Sequence, residues 1–267
     1  MIVSHAHRFI FLKPRKVAGT SIEVALAPFC GPQDILTPVT DFVPGVGHEV
    51  YEQPHRNDDG CYNHMLPREI ARELDQRGQA AAWRGYRKVT VVRNPWDMLV
   101  SQFYWQQTYQ PAVRGGRWEG LMRKLQRNLA SSAHVRHVLR ARWRRLLGKP
   151  SPRHDFGEFI RNLHPKFLNS RYYAAGHGVA GHPRGTKIPD LIIRYEHLQQ
   201  DFDAVCTELG LPQQSLPRLK TGSRKNRAHY STLYTPETRN IVAHLCATEI
   251  ELFGYMFEQS SQQHNLK

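Results

Sequence analysis

Residues 8–23 read RFIFLKPRKVAGTSIE, an apolar run followed by a cationic loop and then by a helical pattern. The run RFIFL (8–12) is typical of a parallel strand that is buried on both faces. Residues 22–27 predict a helix, which Pro28 ends. The first amides of a helix lack intrahelical partners and lie at the positive end of its dipole. We therefore expect an anion to bind in the loop between the strand and the helix.

Four residues of this stretch suit a phosphate-like group. Gly19 permits close approach of the backbone, Lys16 adds a mobile charge, and Thr20 and Ser21 add hydroxyl donors. Thr20 and Glu23 are also spaced as a capping box, so an ordinary capped helix is an alternative interpretation. The loop is not a Walker A loop, because GxxxxGK[ST] is absent and the lysine precedes the glycine. This disfavours a magnesium-dependent nucleoside triphosphate site.

Strands and helices alternate along the rest of the chain. KVTVV (88–92) and DLIIRYEHL (190–198) predict two further strands, the second ending in a turn. Helices are predicted at residues 67–78, 94–107, 155–163, 201–210 and 236–255, whereas residues 28–63 are rich in Pro, Gly, Asp and Asn and predict loops. The pattern predicts an α/β fold, with a central parallel sheet and helices on both faces. We expect a single domain over residues 1–267.

A second position suited to an anion follows the strand at 88–92. Arg93 lies at the carboxyl end of this strand, where open α/β sheets bind their ligands. Ser101 lies about two turns into the helix that follows. Arg93 could instead pair with Asp97. Two such strand ends in one sheet predict a ligand with two separated phosphates.

The positive charge of the chain is concentrated in one segment. The net charge is +14, and residues 114–153 contain twelve lysines and arginines against a single acid, Glu119. We interpret residues 112–153 as a basic helical insert in the domain. A block of this kind favours an anionic partner such as a polysaccharide, a phospholipid surface, a nucleic acid or a nucleotide. A solvated helical face or an oligomer contact is the alternative.

Composition argues against several other classes of protein. The chain has no apolar run near the roughly 18 residues that a membrane span requires, and no leader pattern. We expect a cytoplasmic protein, with peripheral membrane contact through the basic insert as an option. The cysteines are far apart and predict unpaired buried thiols in a reducing compartment. The 15 histidines include no HExxH motif and no zinc spacing, so no metal is expected.

The motifs together resemble the sulfotransferase superfamily. KVAGTS (16–21), followed by VVRNPWDMLVSQFYW (91–105), is similar to the carbohydrate-type branch, whose first loop reads like PKTAGTS. NHMLPREI (63–70), RYEHLQQDFDAVCTELGLP (194–212) and HYSTLYTPETRNIVAHLCATEIELFGYMF (229–257) resemble further segments of the family. The likeness therefore covers most of the chain, except the loops at 28–63 and the basic insert.

The resemblance implies a nucleotide-kinase-like α/β fold with P-loop-like topology and the donor 3′-phosphoadenosine 5′-phosphosulfate, without a metal. By position, the 5′-phosphosulfate would be held by Lys16, Gly19, Thr20 and Ser21, and the 3′-phosphate by Arg93 and Ser101. Arg224 and Lys225 lie where related enzymes close a basic loop on the nucleotide. This chain departs from the family at Arg15 and Val17, where proline and threonine are frequent. Because Val17 lacks a hydroxyl, the phosphate would depend more on amides and on Thr20.

Two histidines are candidates for the base that removes the proton of the acceptor. His64 falls where the family has a histidine before a helix, and an imidazole accepts a proton near neutral pH. His48, in GVGHEVYE, competes for this role, and His64 could instead cap or pack at the start of helix 67–78. Lys16 would follow the charge that gathers on the leaving oxygen.

The resemblance implies transfer of a sulfuryl group to a hydroxyl of a saccharide or glycolipid, polyanionic acceptors included, and no nucleic acid partner is expected. One alternative is a kinase-like phosphotransferase, which would need ATP and Mg²⁺. The other is a non-catalytic protein whose basic insert binds polyanions. The second alternative predicts binding that weakens strongly with salt.

Overall fold

The computed structural model describes residues 1–38, 40–43, 47–50, 61–109, 155–176, 179–219 and 228–259. The backbone alone is described for 40–43, 47–50 and 108–109. Three predicted features therefore lie outside the described residues, namely the basic insert at 112–153, Arg224 and Lys225.

Five strands form the central sheet in the spatial order β3-β1-β2-β6-β7. Their bounds in chain order are β1 (Ile2–Ser4), β2 (Phe9–Leu12), β3 (Ile35–Leu36), β6 (Arg87–Val92) and β7 (Leu191–Arg194). Strands β4 (Thr40–Val43) and β5 (Gly47–Val50) form a separate antiparallel pair.

The sheet is parallel at β2, β6 and β7, as the sequence predicts. Strands β1 and β3 extend it with antiparallel pairs, so the sheet as a whole is mixed. The sequence pattern missed these two strands because each has only two or three residues, too few to show a periodicity. The prediction of loops at 28–63 is likewise wrong for β3, β4 and β5.

Nine α-helices are described: α1 (Gly19–Leu26), α2 (Pro67–Gln76), α3 (Ala80–Gly85), α4 (Pro95–Tyr109), α5 (Phe156–Arg161), α6 (Ser170–Tyr173), α7 (Leu198–Glu208), α8 (Pro236–Leu245) and α9 (Ala247–Phe253). The predicted helix 236–255 is in fact two helices. The helix is interrupted at Cys246, where φ is −107° and ψ is 19°. Helices α3 and α6 were not predicted.

Alternate residues of β2 point to opposite faces of the sheet, because side chains alternate along a strand. Phe9 and Phe11 belong to a core shared with α1 and α7. Ile10 and Leu12 belong to a core shared with α2 and α3. The prediction of helices on both faces is therefore confirmed. A third core joins α4 to α5 and α8 and fixes α4 beside the end of β6.

Two expectations from composition can be compared with the structure. All four cysteines are buried and none of them forms a disulfide, as predicted. Within the described ranges, no helix is both long enough and apolar enough to cross a membrane.

Candidate functional site

Three chain segments leave the sheet at one edge. Leu12 of β2 lies opposite Thr90 of β6, and Val92 of β6 lies opposite Arg194 of β7. A cleft of about 950 Å³ opens where these parallel strands end. Seven predicted site residues line it, namely Lys16, Gly19, Thr20, Ser21, His64, Arg93 and Ser101. Residues that are distant in sequence are thus brought together in one place.

The start of α1 presents amides to this cleft. Ala18 caps the helix, and its carbonyl accepts hydrogen bonds from the amides of Ser21 and Ile22. Within the described part of the chain, the amides of Gly19 and Thr20 have no hydrogen-bond partner. Such amides at the positive end of a helix dipole favour an anion.

The loop before α1 has an unusual backbone. Lys16 and Ala18 have φ values of 59° and 63°, which are left-handed conformations that non-glycine residues rarely adopt. Each costs on the order of 1–3 kcal/mol and persists only where the surroundings impose it. Arg93 Nη1 donates to the Lys16 carbonyl oxygen at 2.7 Å. Positive φ values at Lys16 and Ala18, on either side of Val17, are typical of backbone that forms anion-binding concavities.

The alternative of a capping box at Thr20 and Glu23 is wrong. No side chain caps α1, and Glu23 is fully buried. Its carboxylate instead accepts hydrogen bonds from Lys13 Nζ and from the Met1 amine. Burial alone would raise the pKa of Glu23, but these two cationic groups lower it below its usual value.

Gly19 has a role that the sequence did not indicate. A Cβ atom at this position would lie 2.9 Å from Lys13 Cγ, closer than such atoms approach in proteins. The Lys13 side chain is 1% exposed and crosses beneath Gly19 on its way to Glu23. Lys13 itself was missed by sequence reasoning, although Glu23 within a buried helix was a signal, since a buried carboxylate requires a partner.

Arg93 pairs with Asp97 and also lines the cleft, and its binding of an anion stays a prediction. Its Nε and Nη2 atoms donate to Asp97 Oδ2 at 2.8 and 2.6 Å, and its guanidinium stacks 3.8 Å above the Tyr195 ring. The side chain nevertheless lines the cleft, as does Ser101, one turn beyond Asp97 on α4. Arg93 is therefore held in a fixed orientation beside the loop that contains Lys16.

His64 lines the cleft, and a hydrogen bond to the backbone determines the orientation of its ring. Nδ1 is 2.8 Å from the Lys13 carbonyl oxygen. Because a carbonyl only accepts, Nδ1 must carry the proton, which leaves Nε2 as the basic nitrogen. Burial, and then the charges of Lys13 and Arg15, lower the pKa of His64 well below 6.5. The imidazole is therefore neutral at pH 7, as a general base must be.

His64 is not the cap of α2. Leu66 caps this helix, and its amide donates to Glu69 Oε2 at 2.7 Å. The backbone of His48 pairs with Phe42 in the β4–β5 hairpin, and its side chain lies outside the described residues. The choice between the two histidines as the base stays a prediction.

Several residues of the cleft were not singled out from the sequence. They include Tyr195, which directly follows β7 just as Arg93 directly follows β6. The segment predicted as strand and turn, 190–198, includes Tyr195, so the sequence did not show that this residue directly follows a strand. Trp105 also lines the cleft, with its ring 5.6 Å from Lys16 Nζ. Arg218 had no comparable signal, because it lies in irregular chain.

Among the described residues, no group of three His, Cys, Asp or Glu side chains could hold a metal ion. A family model described as the sulfotransferase family matches residues 1–256. No curated protein and no solved structure shows significant similarity to the chain. The match spans all three loops of the cleft, the sheet and every described helix. The chain therefore belongs to the sulfotransferase family, whose general reaction is sulfuryl transfer.

Proposed function

We propose that this protein transfers a sulfuryl group from 3′-phosphoadenosine 5′-phosphosulfate to a hydroxyl of a saccharide or glycolipid. One observation carries the proposal: two strand ends suited to anions and a neutral histidine line the same cleft. The loop before α1 suits the 5′-phosphosulfate, and Arg93 with Ser101 suits the 3′-phosphate. A nucleotide with two separated phosphates matches this arrangement better than ATP does.

In the proposed reaction, His64 Nε2 takes the proton of the acceptor hydroxyl while the hydroxyl oxygen forms a bond to the sulfur of the donor. The bond between sulfur and the bridging phosphate oxygen breaks, and its electron pair stays on the departing adenosine 3′,5′-bisphosphate. Lys16 and the free amides at the start of α1 stabilise the charge that gathers on this product. The protonated imidazole later releases its proton to water.

The low pKa of His64 has a consequence for this mechanism. A very weak base is fully available at neutral pH but accepts a proton poorly. The charges of Lys13 and Arg15 contribute to the low pKa. Burial, the larger cause, would remain, but an anionic donor in the cleft would offset these charges and raise the pKa of His64. Donor binding would therefore activate the base.

The saccharide part of the proposal rests on the likeness of KVAGTS (16–21) to the first loop of carbohydrate-type members. The basic insert at 112–153 would add affinity for a polyanionic or lipid-linked acceptor. Activity towards such acceptors should then fall steeply with salt. A radiolabelled donor, offered to neutral saccharides, sulfated saccharides, glycolipids and simple phenols, tests the acceptor class. Transfer to phenols alone would contradict the saccharide proposal.

The donor is tested by calorimetric titration with adenosine 3′,5′-bisphosphate, with AMP and ATP as comparison ligands and without metal. We expect binding that requires the 3′-phosphate. A hydrogen-bonded charge pair contributes about 1.5–3 kcal/mol, so Arg93→Ala should weaken binding by roughly ten- to a hundred-fold.

Arg87→Ala is the matched control, because Arg87 lies at the opposite end of β6 and pairs with Glu208 at the surface. This variant should bind the nucleotide as the wild type does. Equal weakening in both variants would contradict the role of Arg93. Tighter binding of ATP than of the bisphosphate, in a parallel titration with Mg²⁺, would favour the kinase-like alternative. Polyanion binding that survives Lys16→Ala, without nucleotide binding, would favour the non-catalytic alternative.

A further inference from the structure

The short segment Asn169–Tyr173 forms hydrogen bonds with residues that line the cleft. Asn169 Oδ1 accepts a hydrogen bond from the Arg15 amide at 3.0 Å, and Asn169 Nδ2 donates to the Arg15 carbonyl at 2.9 Å. The Asn169 side chain therefore forms hydrogen bonds with both the amide and the carbonyl group of Arg15. Because Arg15 precedes Lys16, whose φ is positive, this pair of bonds fixes the loop at the point where its backbone is strained.

Two tyrosines of the same segment reach two other parts of the site. Tyr172 Oη donates to the His64 carbonyl at 2.8 Å. This bond holds His64 at its own positive φ of 65°. Tyr173 Oη donates at 3.1 Å to the carbonyl of Val91, two residues before Arg93.

These contacts are shielded from water. Asn169, Tyr172 and Tyr173 are 1%, 3% and 1% exposed. A buried polar group that loses its partner has no solvent to replace it, so each bond constrains the geometry strongly. Burial raises the pKa of Tyr172 to about 12, which keeps its hydroxyl a donor at neutral pH. The carboxyl group of Glu249 lies near the amides of Asn169 and Ser170, at the start of the segment.

We propose that Asn169 and Tyr172 are positioning residues that act on separate parts of the reaction, Asn169 on the donor loop and Tyr172 on the base. This inference rests on the proposed function. Asn169 sets the loop that would hold the phosphosulfate, and Tyr172 sets the residue that would remove the proton. Because both project from α6 and its cap, the segment fixes the distance between the donor and the base, on which in-line transfer depends.

The base is tested with Tyr172→Phe, which removes one hydroxyl and keeps the ring. Loss of the bond should let His64 relax, so that its pKa rises towards 6.5. Nitrogen-detected NMR titration of labelled histidine, assigned with a His64→Gln variant, measures this rise directly. We expect turnover to fall at least ten-fold and the acidic limb of its pH profile to move to higher pH. The affinity for adenosine 3′,5′-bisphosphate should stay within two-fold.

Tyr234→Phe is the matched control, because Tyr234 also donates a buried hydroxyl to a carbonyl, that of Trp96, at 3.0 Å. Its ring packs in the core around α4, and it does not line the cleft. The control should leave the His64 titration and turnover within two-fold of the wild type.

The donor loop is tested with Asn169→Ala. The affinity for adenosine 3′,5′-bisphosphate should fall at least ten-fold, and the titration of His64 should not change. The two variants thus have opposite signatures, which a general loss of stability would not produce. The inference is overturned if Tyr172→Phe leaves the His64 titration and turnover unchanged, as Tyr234→Phe does. It is also overturned if Tyr172→Phe and Asn169→Ala each change both the His64 titration and the nucleotide affinity in proportion to the drop in their melting temperatures.

The outcomes also separate this inference from the proposed function. If the wild type does not bind the bisphosphate, the proposed donor is wrong. The titration of His64 requires neither donor nor acceptor, so it still supports or overturns the role of Tyr172.

Discussion

Replacing Gly19 by alanine tests the packing beneath the start of α1. The new Cβ would lie 2.9 Å from Lys13 Cγ and 3.5 Å from Lys13 Cε. The first distance is well inside the 3.5–4.0 Å at which carbon atoms attract. The Lys13 side chain cannot swing away cheaply, because it is buried and its Nζ is bound to Glu23.

The size of the effect follows from two opposing contributions. Overpacking of a buried site costs about 1–3 kcal/mol. Alanine gains up to about 1 kcal/mol over glycine in a helix. With mid-range values of about 2 kcal/mol for the cost and about 0.5 kcal/mol for the gain, we expect a net destabilisation of about 1–2 kcal/mol. For a chain of this size, this corresponds to a lower melting temperature by about 2–8 °C.

Chemical denaturation and thermal melting of the two proteins measure this difference. Gly85→Ala is the control, since its Cβ would meet only Arg8 Nη2, at an ordinary 3.7 Å. That variant should be neutral or slightly stabilised. A Gly19→Ala protein as stable as the wild type would refute the view that Lys13 requires a glycine above it.

Three further predictions concern buried charge and the base. Glu23→Gln should lower the free energy of unfolding by about 3–5 kcal/mol, because it leaves Lys13 charged and buried. Glu73→Gln, which breaks a pair at the surface, should lower it by at most about 1 kcal/mol. Equal losses in the two variants would contradict this expectation. Burial raises the pKa of Glu249 from 4.5 to about 7, so the folded state keeps its proton longer than the unfolded state and loses stability as pH rises through this window. Relative to Glu249→Gln, the wild type should lose about 3 kcal/mol between pH 4 and pH 8 in denaturant titrations, and a difference that does not vary with pH would refute the assignment. His64→Ala should lower turnover by roughly 10² to 10⁴ and leave the affinity for adenosine 3′,5′-bisphosphate within a few-fold; near-normal turnover would exclude His64 as the base.

The sequence predicted the features that depend on neighbouring residues. An apolar run that ends in a polar loop identifies a buried strand and its carboxyl end, and this local rule located Lys16 and Arg93 at one edge of the sheet. The same rule did not identify Tyr195, because the predicted segment 190–198 runs past the end of β7 at Arg194. It did not distinguish pairing of Arg93 with Asp97 from a place in the cleft, and the structure contains both. The short strands β1 and β3 and the break at Cys246 carried too little pattern to be read.

What only the tertiary structure decided is how these local pieces are held together. Asn169 and Arg15 are 154 residues apart, and Tyr172 and His64 are 108 residues apart, so no periodicity or spacing connects them. The sequence also did not identify Lys13 as the partner of Glu23, because the spacing of Thr20 and Glu23 suggested a capping box instead. The local sequence pattern predicts which residues lie in the loop at the end of a strand. The orientation of those groups depends on hydrogen bonds between distant segments, which exist only when the chain is folded.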